Sequence, residues 1–186
     1  MSTQTTLPDG TIEWRLNGEL HKINGPAVIE PDGTQIWYVN GNLHRVDGPA
    51  FVKPNGYQEW FNNGEFHRVD GPARLFIDGT QEWWNNGKQH NDNGPAVIKP
   101  DGSQSWFINN KCQRDDGPAI NDANGYQAWY KNGERYREPH NGEPMPVIVK
   151  KGCISYDGKT SIPITEEEYE KYKYHPTGRF TKSARP

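Results

Sequence analysis

The sequence predicts an all-β fold: a single-layer, elongated antiparallel meander of six 23-residue β-hairpin repeats, with a C-terminal hairpin and a short helix. Three observations predict it. Trp14, Trp37, Trp60, Trp83, Trp106 and Trp129 recur at a constant step of 23 residues. Gly10, Gly33, Gly56, Gly79, Gly102 and Gly125 keep the same step, each preceded by Asp or Asn, as do the Gly-Pro pairs beginning at Gly25, Gly48, Gly71, Gly94 and Gly117. Hydrophobic residues are only 32% of the chain, against 20 Gly and 15 Pro, yet there are seven Trp, nine Tyr and six Phe. Too little apolar mass for a thick core, but many large rings, is the composition of a thin, turn-rich sheet held by aromatics.

The second copy serves as the template. Asp32 and Gly33 make a tight turn, and residues 34–39 (TQIWYV) form a β-rich run. Asn40 and Gly41 are the strongest short hairpin signal, because a type I′ loop needs positive φ at both central residues. Residues 42–46 (NLHRV) return. Asp47, Gly48 and Pro49 interrupt the ladder, since Pro has no N–H and Gly permits a bulge. Residues 50–53 (AFVK) resume before the next turn. Each return strand is therefore expected to kink at its Gly-Pro and to pair with both neighbours.

Two-residue loops fix which side chains oppose one another. Trp14 should face His21, Trp37 His44, Trp60 His67 and Trp83 His90, while Tyr38 meets Leu43 and Phe61 meets Phe66. Glu13 should face Lys22, and Glu59 Arg68. Copies five and six carry Gln113 and Tyr136 at the His position, as expected of capping units. Two strands per copy advance the sheet by about 10 Å, so six copies span on the order of 60 Å.

The chain divides into an N-terminal arm (1–7), the repeats (8–144) and a C-terminal segment (145–186). The phase slips by two at Asn141 and Gly142. Residues 146–165 read as an atypical hairpin: 147–149 is apolar, Asp157 and Gly158 signal a turn, and 162–164 closes it. Thr165 and Glu168 match a capping box, which predicts a helix over 166–174 bearing Tyr169 and Tyr172. Beyond Pro176 the run is basic, a frayed end or a docking arm.

Motifs such as IWYVNGNLHRVDGPAFVKPNG and EWFNNGEFHRVDGPARLFIDG resemble the variant MORN repeats of the YwqK-like, antitoxin-type family found in bacterial, phage and large-virus proteins. The resemblance covers about three quarters of the chain. It implies a single-layer stack of hairpins forming an elongated groove, used as a binding surface for varied partners.

The residues narrow the function classes. A formal net charge of −3 and a pI near 6.1 supply no basic field for phosphate backbones, so nucleic acid is an unlikely partner despite aromatics alternating with Arg45, Arg68, Arg114 and Arg137. No apolar run approaches the roughly 20 residues of a membrane helix, and no signal peptide is visible, which predicts a cytoplasmic protein. Cys112 and Cys153 have no metal-like spacing; free thiols are expected over a disulfide. Histidines about 10 Å apart cannot share an ion whose bonds are near 2.0–2.1 Å, so no metal and no cofactor is expected. The recurring Asp9, Asp32, Asp78 and Asp101, and Asp47, Asp70 and Asp116, sit at turns, where Asp serves the backbone. Catalysis needs a unique constellation, and the memorable residues here recur.

Recognition of another protein remains. Trp, Tyr and Arg are enriched in binding hot spots. The expected contact residues are Trp83 and Trp84, Trp60 and Phe61, the histidines His44, His67 and His90, and Arg45 and Arg68. Occlusion of a partner by an antitoxin-like or phage-encoded inhibitor is the leading expectation. Two alternatives are structural assembly through unpaired edge strands and sequestration of a small nucleotide. Histidine titration could make the groove pH-sensitive.

Overall fold

The computed structural model describes residues 1–136, 148–150, 153–155, 162, 163 and 165. The phase slip at Asn141, the turn at Asp157, the helix expected over 166–174 and the basic C-terminal run lie outside the described residues. Among the described residues every regular element is a strand. The chain forms two units, Met1–Asn110 and Lys111–Pro186.

In the first unit an antiparallel ladder runs Thr3–Thr6, Ile12–Leu16, Val28–Ile29, Gln35–Ile36, Phe51–Val52, Gln58–Glu59, Arg74–Leu75, Gln81–Glu82, Val97–Ile98 and Gln104–Ser105, each strand bonded to the next. The all-β hairpin meander is thus present. The expected N-terminal arm contributes its first strand, with Thr3 opposite Arg15 and Thr6 opposite Ile12. In copies two to four the Asn-Gly hairpins are not part of this ladder. Tyr38–Val39 with Asn42–Leu43, Phe61–Asn62 with Glu65–Phe66, and Trp84–Asn85 with Lys88–Gln89 are separate two-stranded ribbons that branch from it.

The branching occurs at the tryptophan. Trp37 donates its N–H to Ala50 (2.7 Å) but accepts at its carbonyl from the N–H of His44 (3.1 Å). One residue therefore changes partner between ladder and ribbon, and the strand bends there. Trp60 repeats this with Ala73 and His67, and Trp83 with Ala96 and His90. The small partner is essential. Ala27, Ala50, Ala73 and Ala96 are each 0% exposed, and this column of alanines after Gly-Pro, unremarked in the sequence, is the true core of the ladder.

The turns follow the torsional expectation. Asn17, Asn40, Asn63, Asn86 and Asn109 have φ between 46° and 52°, and Gly18, Gly41, Gly64 and Gly87 follow at positive φ. Asn110 replaces glycine in copy five and adopts φ 65°, a conformation Asn tolerates better than other non-glycine residues.

In the second unit Ile120–Asn121 pairs with Gln127–Lys131, which pairs with Glu134–Tyr136. The expected C-terminal hairpin is a three-stranded sheet, Ile148–Lys150, Cys153–Ser155 and Ile162–Pro163.

Candidate functional site

The histidines lock one copy to the next. His21 Nδ1 accepts from the backbone N–H of Asn40 (3.0 Å), His44 from Asn63 (3.2 Å), His67 from Asn86 (3.2 Å) and His90 from Asn109 (3.3 Å). Each acceptor reaches the hairpin turn 19 residues ahead, Asn-Gly in copies two to four and Asn109–Asn110 in copy five. In the second unit Gln113 Oε1 accepts from Asn132 (3.3 Å), so an amide oxygen does the imidazole's work and copy five keeps the link. A doubly protonated ring has no lone pair to offer. His90 fits the required tautomer, with Nε2 3.0 Å from Asp92.

The residue after each histidine is also drawn forward. Lys22, Arg45 and Arg68 donate their backbone N–H to Tyr38, Phe61 and Trp84 of the following copy. This corrects two expected pairs. Glu13 does not face Lys22 but binds Arg15 (2.9 Å), and Glu59 binds Arg74 (3.0 Å) rather than Arg68. The two-residue hairpin register ends at the Trp–His pair, because the return strand leaves its own hairpin there. Tyr38–Leu43 and Phe61–Phe66 lie before that point and are opposed as expected.

The freed cations fold onto the tryptophans. Lys22 Nζ lies 3.4 Å above the Trp14 ring, Arg45 4.2 Å above Trp37 and Arg68 4.1 Å above Trp60. Each Arg Nε also donates to the aspartate two residues on, Asp47 or Asp70, at 2.9 Å. The Nη1 groups reach the carbonyls of Pro49 and Pro72 (3.3 Å). A Cβ on Gly48 or Gly71 would meet the guanidinium carbon at 3.0 or 3.1 Å. Glycine before proline thus leaves room for the arginine, which a larger residue would push aside by a few tenths of an ångström.

Five of the nine expected contact residues, His44, His67, His90, Arg45 and Arg68, are committed to the fold in this way. His44, His67, Arg45 and Arg68 all line one open groove between copies two and three, of about 720 Å³, with Trp60, Phe61, Asn62, Val46 and Val69. Phe61 is only 8% exposed and packs on Phe66 at 4.4 Å between ring centres. Trp83, Trp84 and His90 do not line this groove. Trp84 is half-buried, donates Nε1–H to Glu82 (3.0 Å) and packs on Phe66 (5.4 Å). Sequence reasoning missed a recurring column of exposed apolar groups. Ile23, Val46 and Val69, one per copy, are 79%, 91% and 90% exposed. Their signal was an aliphatic column directly before a turn that buries nothing.

Copy three also carries a cluster that does not recur. Ladder register places Glu59, Arg74 and Glu82 side by side. Arg74 Nε donates to Glu59 and Nη1 to Glu82, both at 3.0 Å, while Nη2 donates to the Tyr57 hydroxyl (2.8 Å). Tyr57 donates in turn to Glu59. Burial, and secondly the Glu59 hydrogen bond, raise the Tyr57 phenol above its ordinary range, so it remains a donor. Arg74 lies 4.8 Å from the Phe66 ring and 4.6 Å from Phe76. An adjoining hollow of about 560 Å³ is lined by Phe51, Lys53, Asn55, Tyr57, Glu59, Phe76 and Ile77. Every polar group of the cluster is spent on another, which makes it a rivet rather than an acid–base pair. The signal was charged residues at three successive ladder positions, legible only once register is known.

The turn carboxylates are held ionised. Backbone N–H donation from Thr11, Thr34 and Ser103 keeps Asp9, Asp32 and Asp101 below the ordinary value of 3.8. The hydrogen bond from the arginine two residues before does so for Asp47, Asp70 and Asp116. Cys112 is a free thiol that burial pushes up to about 11, a poor nucleophile. Among the described residues no three His, Cys, Asp or Glu side chains cluster as metal ligands, and no helix is long and apolar enough to cross a membrane. No protein-family model matches the chain, and no curated protein matches it.

Proposed function

We propose that this is a non-enzymatic binding protein that recognises another protein along the repeat surface of its first unit, at the groove between copies two and three. The observation that carries the reading is the pair Val46 and Val69, about nine-tenths exposed on the margin of a groove built from Trp60, Arg45 and Arg68. Apolar groups left in water beside a polar-rimmed hollow are the ordinary mark of an interaction site. Inhibition by occlusion, in the manner of an antitoxin-type or phage-encoded inhibitor, suits a rigid surface that needs no chemistry. A reducing cytoplasm suits the unpaired Cys112.

The test is a plug. Asn62 lines the groove without belonging to the histidine or arginine links. Asn62→Trp should fill the groove and leave the melting temperature nearly unchanged. A host protein captured by the wild type should then be lost from the variant; equal capture by both would refute the reading.

A second reading, structural assembly, is favoured by the edge strand Thr3–Thr6, exposed at all four positions and free of charge and proline. Such an edge accepts strand addition. Light scattering across a concentration series separates the two, since assembly requires growth in mass and occlusion does not.

A further inference from the structure

We infer that the column Ile23, Val46 and Val69 is a docking track for a basic amphipathic helix of the partner. The inference rests on the protein-binding reading above and specifies the chemistry of the guest.

Charge is the first argument. Each aliphatic residue is followed directly by Asn24, Asp47 or Asp70. The side chains of Asp47 and Asp70 are 82% and 81% exposed, whereas those of Arg45 and Arg68, folded onto their tryptophans, are 25% and 23% exposed. What a partner meets first beside the valines is therefore the outward carboxylate of an Arg–Asp pair whose guanidinium lies beneath it, although the sequence alternates Arg and Asp. In copy four the column itself becomes acidic, at Asp92, so the track has three apolar positions and a negative end.

Backbone chemistry is the second. The track runs beside Pro26, Pro49 and Pro72, which offer no N–H. An extended peptide laid here could not complete a ladder. A helix satisfies its own backbone and brings only side chains.

Spacing is the third. Copies advance by about 10 Å, and seven residues of helix advance by about 10.5 Å. Apolar residues seven apart on a helix of about 15 residues would then meet all three positions. Basic residues beside them would face Asp47 and Asp70.

The experiment uses a fluorescein-labelled, lactam-bridged 18-residue helix with leucines seven apart flanked by lysines. Its control is an isomer of equal composition and helicity with the heptad spacing broken. Anisotropy titration of the full chain should show at least tenfold tighter binding of the heptad peptide. Val46→Ser with Val69→Ser should remove that preference. These side chains are too exposed for the change to threaten folding. Asp47→Asn with Asp70→Asn keeps the oxygen that receives Arg Nε, and should weaken binding at least threefold in 50 mM salt but not in 500 mM. Equal affinity for both peptides, no binding of either, or indifference to the serine pair overturns the inference. If Asn62→Trp still abolishes capture of the host partner in that event, the groove reading survives and only the helical guest is wrong.

Discussion

Copies two and three differ from copy four at three successive positions, yet the histidine link and the buried alanine are kept in all of them. Before Gly-Pro, copies two and three read Arg-Val-Asp, at Arg45 and Arg68 onward, whereas copy four reads Asn91, Asp92 and Asn93. Asn91 keeps the carbonyl contact, donating Nδ2–H to Pro95 (2.8 Å), and accepts the Asn93 backbone N–H at Oδ1 (3.0 Å). With no guanidinium overhead, the space at Gly94 opens to 3.7 Å from the nearest side-chain atom, against 3.0 Å at Gly48. His90 nevertheless reaches the next turn, and Ala96 is fully buried. The difference separates two kinds of column. His and Ala hold the stack together, while Arg, Val and Asp dress a surface and can be exchanged as a set.

The harshest way to break this division is to enlarge the alanine column. Ala73 donates no volume to spare, and both of its neighbours in the ladder are strands. Ala73→Leu should cost about 3 kcal/mol, the upper range for overpacking a tight site. The same change at Val69 should cost under about 0.5 kcal/mol, as for exposed positions generally. Chemical denaturation of the two variants measures both. Comparable losses would show that the alanines are not the core.

The histidine link is next in size. His67→Ala leaves the Asn86 N–H to water and should cost about 1 kcal/mol. His67→Gln should recover most of it, because Gln113 already fills that role in copy five. If Gln is as damaging as Ala, the ring acts by packing and not as an acceptor.

The legibility of the fold had a physical boundary. Anything set by local torsion was readable: the Asn-Gly turns, the Asp-Gly turns and the antiparallel order. The pairs Tyr38–Leu43 and Phe61–Phe66 were readable too, because a two-residue loop determines them. Whatever depended on where a strand changes partner was not. The bend at Trp37 is one residue long and has no sequence marker, so Lys22 and Arg68 were assigned to hairpins they had already left. Histidine offered the same ambiguity: its recurrence announced a role, but its acceptor target lies 19 residues on, across a boundary between copies. Alanine was overlooked because small residues carry little hydrophobic signal, although a crowded ladder selects for smallness.

Copy four can also be converted. Asn91→Arg with Asp92→Val and Asn93→Asp should place a guanidinium over Trp83 and add about 0.5–1 kcal/mol, the worth of an exposed cation–π contact. It should also lengthen the aliphatic track by one position. A near-zero or negative change would mean that the Arg–Trp stack in copies two and three is decoration.

The smallest effect per residue is the acid response of the turns, and it distinguishes charge from hydrogen bonding. Asp9, Asp32 and Asp101 titrate below 3.8 in the folded chain because backbone N–H groups favour the carboxylate. A group depressed on folding contributes stability above its unfolded value and loses it as pH falls through its folded value. Melting temperature should therefore drop as pH goes from 4 toward 2. Copies three and six use neutral acceptors at the same place: Asn55 receives the N–H of Tyr57 at 3.1 Å and Asn124 that of Tyr126 at 2.9 Å. Replacing Asp9, Asp32 and Asp101 together by Asn should leave the neutral-pH melting temperature little changed and make the acid decline shallower. An unaltered acid limb in that triple variant would move the acid sensitivity to Asp47, Asp70 and Asp116, whose arginine partners depress them in the same direction.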